Sequence, residues 1–201
     1  MVIQARALGP AEQTVAAALE MRPGAAKPDR IASEAVTFKT AMRSLAGAVS
    51  VVTTGRDPLE RTGFTATSVS SLSIEPPTLL VCFNRDSSSW PALQEHGSFC
   101  VNVLAHDQLH VADRFAGRNG HKGVARYEGA KWRELATGAL ALDGALAAID
   151  CDIDAVIDHH THEIIIGRVR AVELRNGAEP LLYWQGAYRL ISSLDRVLTR
   201  A

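Results

Sequence analysis

The chain has 201 residues, 47% of them hydrophobic, and its 21 Lys and Arg nearly balance 22 Asp and Glu, for a formal net charge of −1. That length buries one sizeable core, as one domain with an appendage. The even charge, with no basic run interleaved with aromatics, argues against a nucleic-acid partner, and the longest apolar run, near Leu79 to Phe83, is far too short to span a bilayer.

The opening MVIQARALGPAEQTVAAALEMR lacks the basic start, uninterrupted apolar stretch and cleavage site of a secretory signal, so a cytoplasmic location is expected. Residues 1–33 read as an N-terminal extension, with an Ala-rich helix around 11–21 and a linker, PGAAKPDR, at 23–30 where Pro and Gly break both regular periods. The main domain is assigned to 34–201. Phe38, Met42 and Leu45 recur at helical spacing ahead of Gly47, which predicts a short helix feeding a strand from Val49 to Thr53.

Strand patterns follow at about 63–70, 78–84, 98–104, 146–158 and 162–174. Short helices fit 89–96, where Trp90-Pro91 suits a first turn, and 107–116, where Asp107 can cap. Many strands joined by turns and only short helices predict a mainly β chain, an antiparallel Greek-key sheet closing on itself. Periodicity does not choose among such barrels. The Gly-rich stretches 117–130 and 136–145 read as loops, mobile without a ligand. Cys82, Cys100 and Cys151 sit in apolar strand patterns, as reduced core thiols do.

Hydroxyls crowd one stretch. Thr65, Thr67, Ser68, Ser70, Ser71 and Ser73 decorate a β-prone segment, and Asn84, Arg85, Ser87, Ser88 and Ser89 precede a helix start. Donors with one Arg at such a place suit a phosphate, although an edge strand with solvated hydroxyls and a Ser-capped helix explains the same spacing, and the spacing alone favours that plainer account. A P-loop, a Gly-x-Gly-x-x-Gly fingerprint after a strand, and a Gly-x-Ser-x-Gly elbow are all missing, so a nicotinamide cofactor would enter by another route than a Rossmann crevice. His159, His160 and His162 form the one titratable cluster of catalytic character. On a strand, His160 and His162 would share a face with His159 pointing away, too few ligands for zinc, and no metal is expected.

Five stretches in order resemble the flavin reductase family: FKTAMRSLAGAVSVVTT; RTGFTATSVSSLS with EPP, TLLVCFN and RDSSSWPAL; FCVNVLAHDQLHVADRFAGR; DHHTHEIIIGRVRAV; and PLLYWQGAYRLI. The likeness covers about residues 36–191. It implies the FMN-binding split β-barrel, a homodimer, and an NAD(P)H-dependent reductase of FMN, with FAD or riboflavin as alternatives, that supplies diffusible reduced flavin to a partner monooxygenase. By the same resemblance, Thr65, Ala66, Thr67 and Ser68 approach the ring edge and ribityl chain, and Asn84, Arg85, Ser87, Ser88 and Ser89 take the phosphate. Val101 and Asn102 border the ring, Tyr188 walls its cavity, and Phe115 and Arg118 belong to a loop near the flavin. His162, in a Thr-His step before Ile165-Ile166-Gly167, would meet the incoming nicotinamide. DCDIDAVIDHHTH and ALAAIDC also resemble a branch that reduces the cobalt of a corrinoid, and a non-catalytic flavin-binding module is the alternative outside enzymes.

Overall fold

The computed structural model describes residues 28–191, so the helix expected at 11–21 lies outside the described residues. Helix α1 (Pro28–Met42) begins ten residues before Phe38, where the helical pattern starts. Pro28 opens it, where a missing N–H is harmless, so the last three residues of the expected linker are helical. Contacts divide the chain after Met42 into two compact units. Within α1, Thr40 Oγ1 donates to the Val36 carbonyl at 3.0 Å.

The second unit is mainly β, as expected. Its strands are β1 (Gly47–Ala48), β2 (Ser50–Thr54), β3 (Thr62–Ala66), β4 (Val69–Ile74), β5 (Pro77–Asn84), β6 (Ser98–Val103), β7 (Trp132–Glu134), β8 (Leu140–Leu142), β9 (Ala147–His159), β10 (His162–Leu174), β11 (Leu182–Trp184) and β12 (Ala187–Arg189). Helix α2 (Trp90–His96) follows β5, and α3 (Leu109–Phe115) follows a single 3-10 turn at His106–Gln108. Seven strands form an antiparallel sheet in the order β3-β2-β6-β9-β10-β5-β4.

That order has a geometric consequence. Strands β3 and β4 are the two outer edges, yet only Thr67 and Ser68 separate them in the chain. Two residues reach only about 7 Å fully extended, so the sheet must roll until its edges meet. The single strand expected at 63–70 is therefore two strands, with the seam of the rolled sheet at Thr67-Ser68. Ser68 Oγ ties the seam to the β5 side of the sheet by donating to the Cys82 carbonyl at 3.1 Å.

Inside the roll, Val52, Val81, Phe83, Leu93, Phe99, Val101 and Ile165 make one buried core, with Phe64 edge-on to Phe83 at 4.3 Å between centroids. A second core gathers Val49, Val51, Leu104, Val111, Phe115, Leu142 and Leu181 beneath α3, where Tyr127 and Trp132 pack on Phe115. Gly167 in β10 is demanded by the first core: a Cβ there would lie 2.4 Å from Phe99 Cζ and 3.0 Å from Cys151 Cβ. Gly167→Ala is expected to destabilise by about 1–3 kcal/mol, the usual range for overpacking, seen as a lower urea midpoint with an unchanged slope.

Several local expectations change. Asp107 does not cap α3; Gln108 Oε1 instead accepts from the Ala105 N–H at 3.1 Å, and Asp107 faces Arg175 at 3.3 Å. The Arg175 hydrogen bond holds the Asp107 carboxyl below its usual range. The expected loops carry structure: Gly123–Tyr127 is a 3-10 segment, and 136–145 contains β8, paired with β7. Asp150, fully buried, anchors that second stretch by accepting from the Ala136 and Thr137 N–H groups at 2.8 and 2.7 Å and from Thr137 Oγ1 at 2.6 Å. All three cysteines are free thiols, with Cys100 and Cys151 buried. Among the described residues no helix is long and apolar enough to cross a membrane.

Candidate functional site

The seam is also hollow. Two cavities flank Thr65, Ala66 and Thr67, which line both. The first, about 250 Å³, is walled by Val49, Ala116, Arg118, Tyr183 and Tyr188. The second, about 330 Å³, adds Phe64, Ser68, Cys82, Phe83, Asn84, Ser87 and His162. Sites of a few hundred Å3 with an apolar body and a few convergent polar groups are those that take cofactor-sized ligands.

Each wall follows from local structure. Tyr183 and Tyr188 are register partners on the β11–β12 hairpin, so their rings meet at 5.4 Å and 67°. Arg118 stacks over Tyr188 with its guanidinium carbon 5.3 Å from the ring centre, and pairs with Asp113 at 3.4 Å. Burial first, and then the neighbouring Asp113 carboxylate, pushes the Tyr188 phenol up to about 12, so it stays a neutral hydroxyl. Thr65 Oγ1 is committed to the Ala112 carbonyl at 2.7 Å, which leaves Thr67 and the strand backbone facing the hollow. On the other side, Asn84 Oδ1 accepts from Asp86 N at 3.0 Å and Ser87 Oγ from Ser89 N at 3.4 Å, folding the 84–89 turn into a concave polar rim.

His162 opens β10, opposite Asn84 on β5 and His159 on β9. Its Nδ1 lies 2.9 Å from Thr161 Oγ1, a contact that fixes the ring orientation. The neighbouring histidines differ from expectation. His160 and Thr161 form a two-residue hairpin turn, with His160 at φ 57°, so His160 and His162 do not share a strand face. His159 and His160 instead meet edge-on at 61°, with ring centroids 4.5 Å apart.

Arg85 does not present a free cation. Its Nε lies 2.6 Å from Glu163 Oε1 and its Nη2 contacts Asp158 Oδ1, one positive charge against two carboxylates. Burial opposes that charge, but the Asp158 hydrogen bond and the attraction of both carboxylates raise the guanidinium pKa overall.

Of the residues singled out in the sequence, the cavities gather Thr65, Ala66, Thr67, Ser68, Asn84, Ser87, Arg118, His162 and Tyr188. Ser88 is exposed on the rim. Four others lie in the interior. Val101 is core, and Asn102 is consumed by Val51 O, Leu140 O and Leu142 N. Phe115 packs under α3, and Ser89 Oγ donates to Gly63 O at 2.9 Å. Tyr183, Val49 and Ala116 were not singled out; only the hairpin register, which pairs Tyr183 with Tyr188, signals the first of them.

A family model described as "Flavin reductase like domain" matches residues 42–192, three quarters of the chain and the whole of the rolled sheet. The chain belongs to this flavin reductase-like family. It is 44% identical over 170 residues to "FMN reductase (NADH) RutF 2" of Methylorubrum extorquens (strain PA1), covering 83% of this chain and 95% of that one. Among solved structures it is similar to BorF, the flavin reductase component of a bacterial two-component tryptophan halogenase, with 34% identity, a TM-score of 0.72, and coverage of 79% and 99%. It is also similar to the NADH:FAD oxidoreductase SgcE6 of Streptomyces globisporus C-1027, whose structure holds NAD and FAD fragments, with 26% identity, a TM-score of 0.73, and coverage of 86% and 99%. The rolled sheet is thus the flavin reductase fold, and its seam is the hollow common to both halves of the candidate site.

Proposed function

We propose that the protein is an NADH-dependent flavin reductase that reduces FMN and releases it to a partner oxygenase, and that it works as a cytoplasmic homodimer. The observation that carries this reading is the pair of cavities sharing Thr65–Thr67, one walled by tyrosines and an arginine, the other by hydroxyls, an amide and an imidazole. A planar ring with a polar, phosphorylated tail needs that division. Residues 65–68 would hold the ring edge and ribityl chain, and Asn84, Ser87 and Ser88 the phosphate. When bound, the flavin supplies an acceptor for the hydride of the reduced nicotinamide, which passes directly between the two rings.

The chain's own part is to orient and to shield. Tyr188, kept neutral, and Tyr183, set edge-on to it, give an aromatic wall that excludes water. His162, steered by Thr161, offers a ring nitrogen to a carboxamide or phosphate oxygen at the cavity mouth. The names of the relatives favour NADH with FMN, and favour a flavin over a corrinoid as acceptor; FAD is the second reading, favoured by the SgcE6 complex. Anaerobic mixing of the FMN-loaded protein with NADH is expected to bleach the yellow absorbance within the dead time of manual mixing. A colour that persists would make the protein a flavin-binding module without reductase activity.

A further inference from the structure

The rim expected to take a phosphate lacks an available cation of its own, because Arg85 is already outnumbered by Asp158 and Glu163. A different arginine stands behind that rim. Arg126, on the Gly123–Tyr127 segment, is 7% exposed. Its Nη1 donates to Gly63 O, to Ser89 Oγ at 3.0 Å and to Thr62 Oγ1 at 3.3 Å, and its Nε to His121 O at 3.2 Å. Every acceptor is neutral. Among the described residues no carboxylate pairs with it, whereas nearby Arg61 has Glu134 and Arg114 has Glu128.

The hydrogen bonds from Nε and Nη1 all go to neutral oxygens and leave the charge uncompensated in a poorly solvated place, and a buried charge is retained at such a cost only when an opposite charge meets it. Burial accordingly pulls its pKa down. The route outward is short. Ser89, which receives Nη1, donates its N–H to Ser87 Oγ at 3.4 Å, and Ser87 lines the cavity.

We propose that Arg126 is the electrostatic positioning residue for the phosphate monoester of the flavin, acting from behind the 84–89 rim through Ser89, and that it sets the preference for phosphorylated flavin over riboflavin. The inference rests on the flavin-reductase reading above. Arg126 touches neither ring nor tail; it supplies a fixed positive potential beneath the rim and braces Thr62, Gly63 and Ser89 in one node.

The test is the ratio of dissociation constants for riboflavin and FMN, with the KM for NADH measured alongside, in Arg126→Gln and Arg126→Lys. Loss of the charge is expected to reduce the preference for FMN about tenfold or more, as removal of one unit charge at the margin of a site would, while the Lys variant keeps it within about twofold and the KM for NADH stays unmoved. A merely structural role would weaken both flavins alike and leave the ratio unchanged, which would overturn the proposal. So would a raised KM for NADH with an unchanged ratio, since the reductant's phosphates would then be the anion served.

Should the Gln variant fail to fold, Gly117 gives a second approach. A Cβ there would sit 3.9 Å from Arg126 Nη2, and the position has φ +70°, which Asp and Asn tolerate better than other side chains. Gly117→Asp gives Arg126 an internal carboxylate and is expected to lower the FMN preference, whereas Gly117→Asn, equally strained and neutral, does not. Equal ratios in the two would overturn the proposal. Failure of the wild type to bind either flavin is read before any variant is made and would overturn the functional reading itself.

Discussion

Replacing His162 by alanine is expected to raise the KM for NADH about 10- to 100-fold, with kcat little changed and the dissociation constant for FMN within about twofold of wild type. The magnitude is that of one hydrogen bond to a charged or strongly polar group, about 1.5–3 kcal/mol. The pattern is that of a contact made equally in ground and transition states. The imidazole sits at the cavity mouth opposite Asn84, held by Thr161 at 2.9 Å, and takes no part in the packing of the core. Steady-state kinetics beside a flavin titration check this. Because the same cavity contains Asn84 and Ser87, a variant that loses FMN affinity while keeping its KM for NADH would instead assign the imidazole to the flavin phosphate.

The largest loss of stability is expected at Asp150. Its carboxylate is fully buried and accepts three hydrogen bonds from residues 136 and 137, fastening the stretch that leads into β8 against β9. Asp150→Ala strands the Thr137 N–H and hydroxyl in the interior, at about 1–3 kcal/mol for each group left unpaired, and unties the exposed Ala136 N–H as well. Water entering the gap offsets part of that sum, so a loss of about 3–5 kcal/mol is predicted, enough to consume much of the stability of an ordinary domain. Asp150→Asn keeps one acceptor and should fall between. Urea melts of the two variants measure it, and a midpoint for Asp150→Ala close to wild type would show that the 136–139 turn is held by something else.

Much of this architecture could be read from residues. The strands around 78–84, 98–104, 146–158 and 162–174 follow their β-branched and apolar runs, and α2 its Trp90-Pro91 start, because those signals are local. The division of 63–70 could not be read, since Thr67 and Ser68 continue a strand-like pattern and only the meeting of two sheet edges bends the chain there. His160 escaped for a related reason: nothing in DHHTHE distinguishes a strand from a hairpin turn until β9 and β10 are paired.

The site shows the same limit. The hydroxyls of 65–68 and the 84–87 turn announced themselves by composition, and they do line the cavities. The commitment of Arg85 to Asp158 and Glu163 depends on residues about 75 positions away, and that of Asn102 to Leu140 and Leu142 about 40 away. Long-range partners of this kind decide which polar groups remain free for a ligand, and no spacing rule records them. Arg126 is the converse case, a residue in an apparent loop that burial turns into an uncompensated charge.

The central claim is that the seam joining β3 to β4 is where the flavin lies, and a crystal structure of the protein soaked with FMN tests it most directly. Density for the ring beside Thr65–Thr67 and Tyr188, with the phosphate against Asn84, Ser87 and Ser88, is the predicted result. Flavin density elsewhere on the protein, with both cavities at the seam filled by solvent alone, would contradict it.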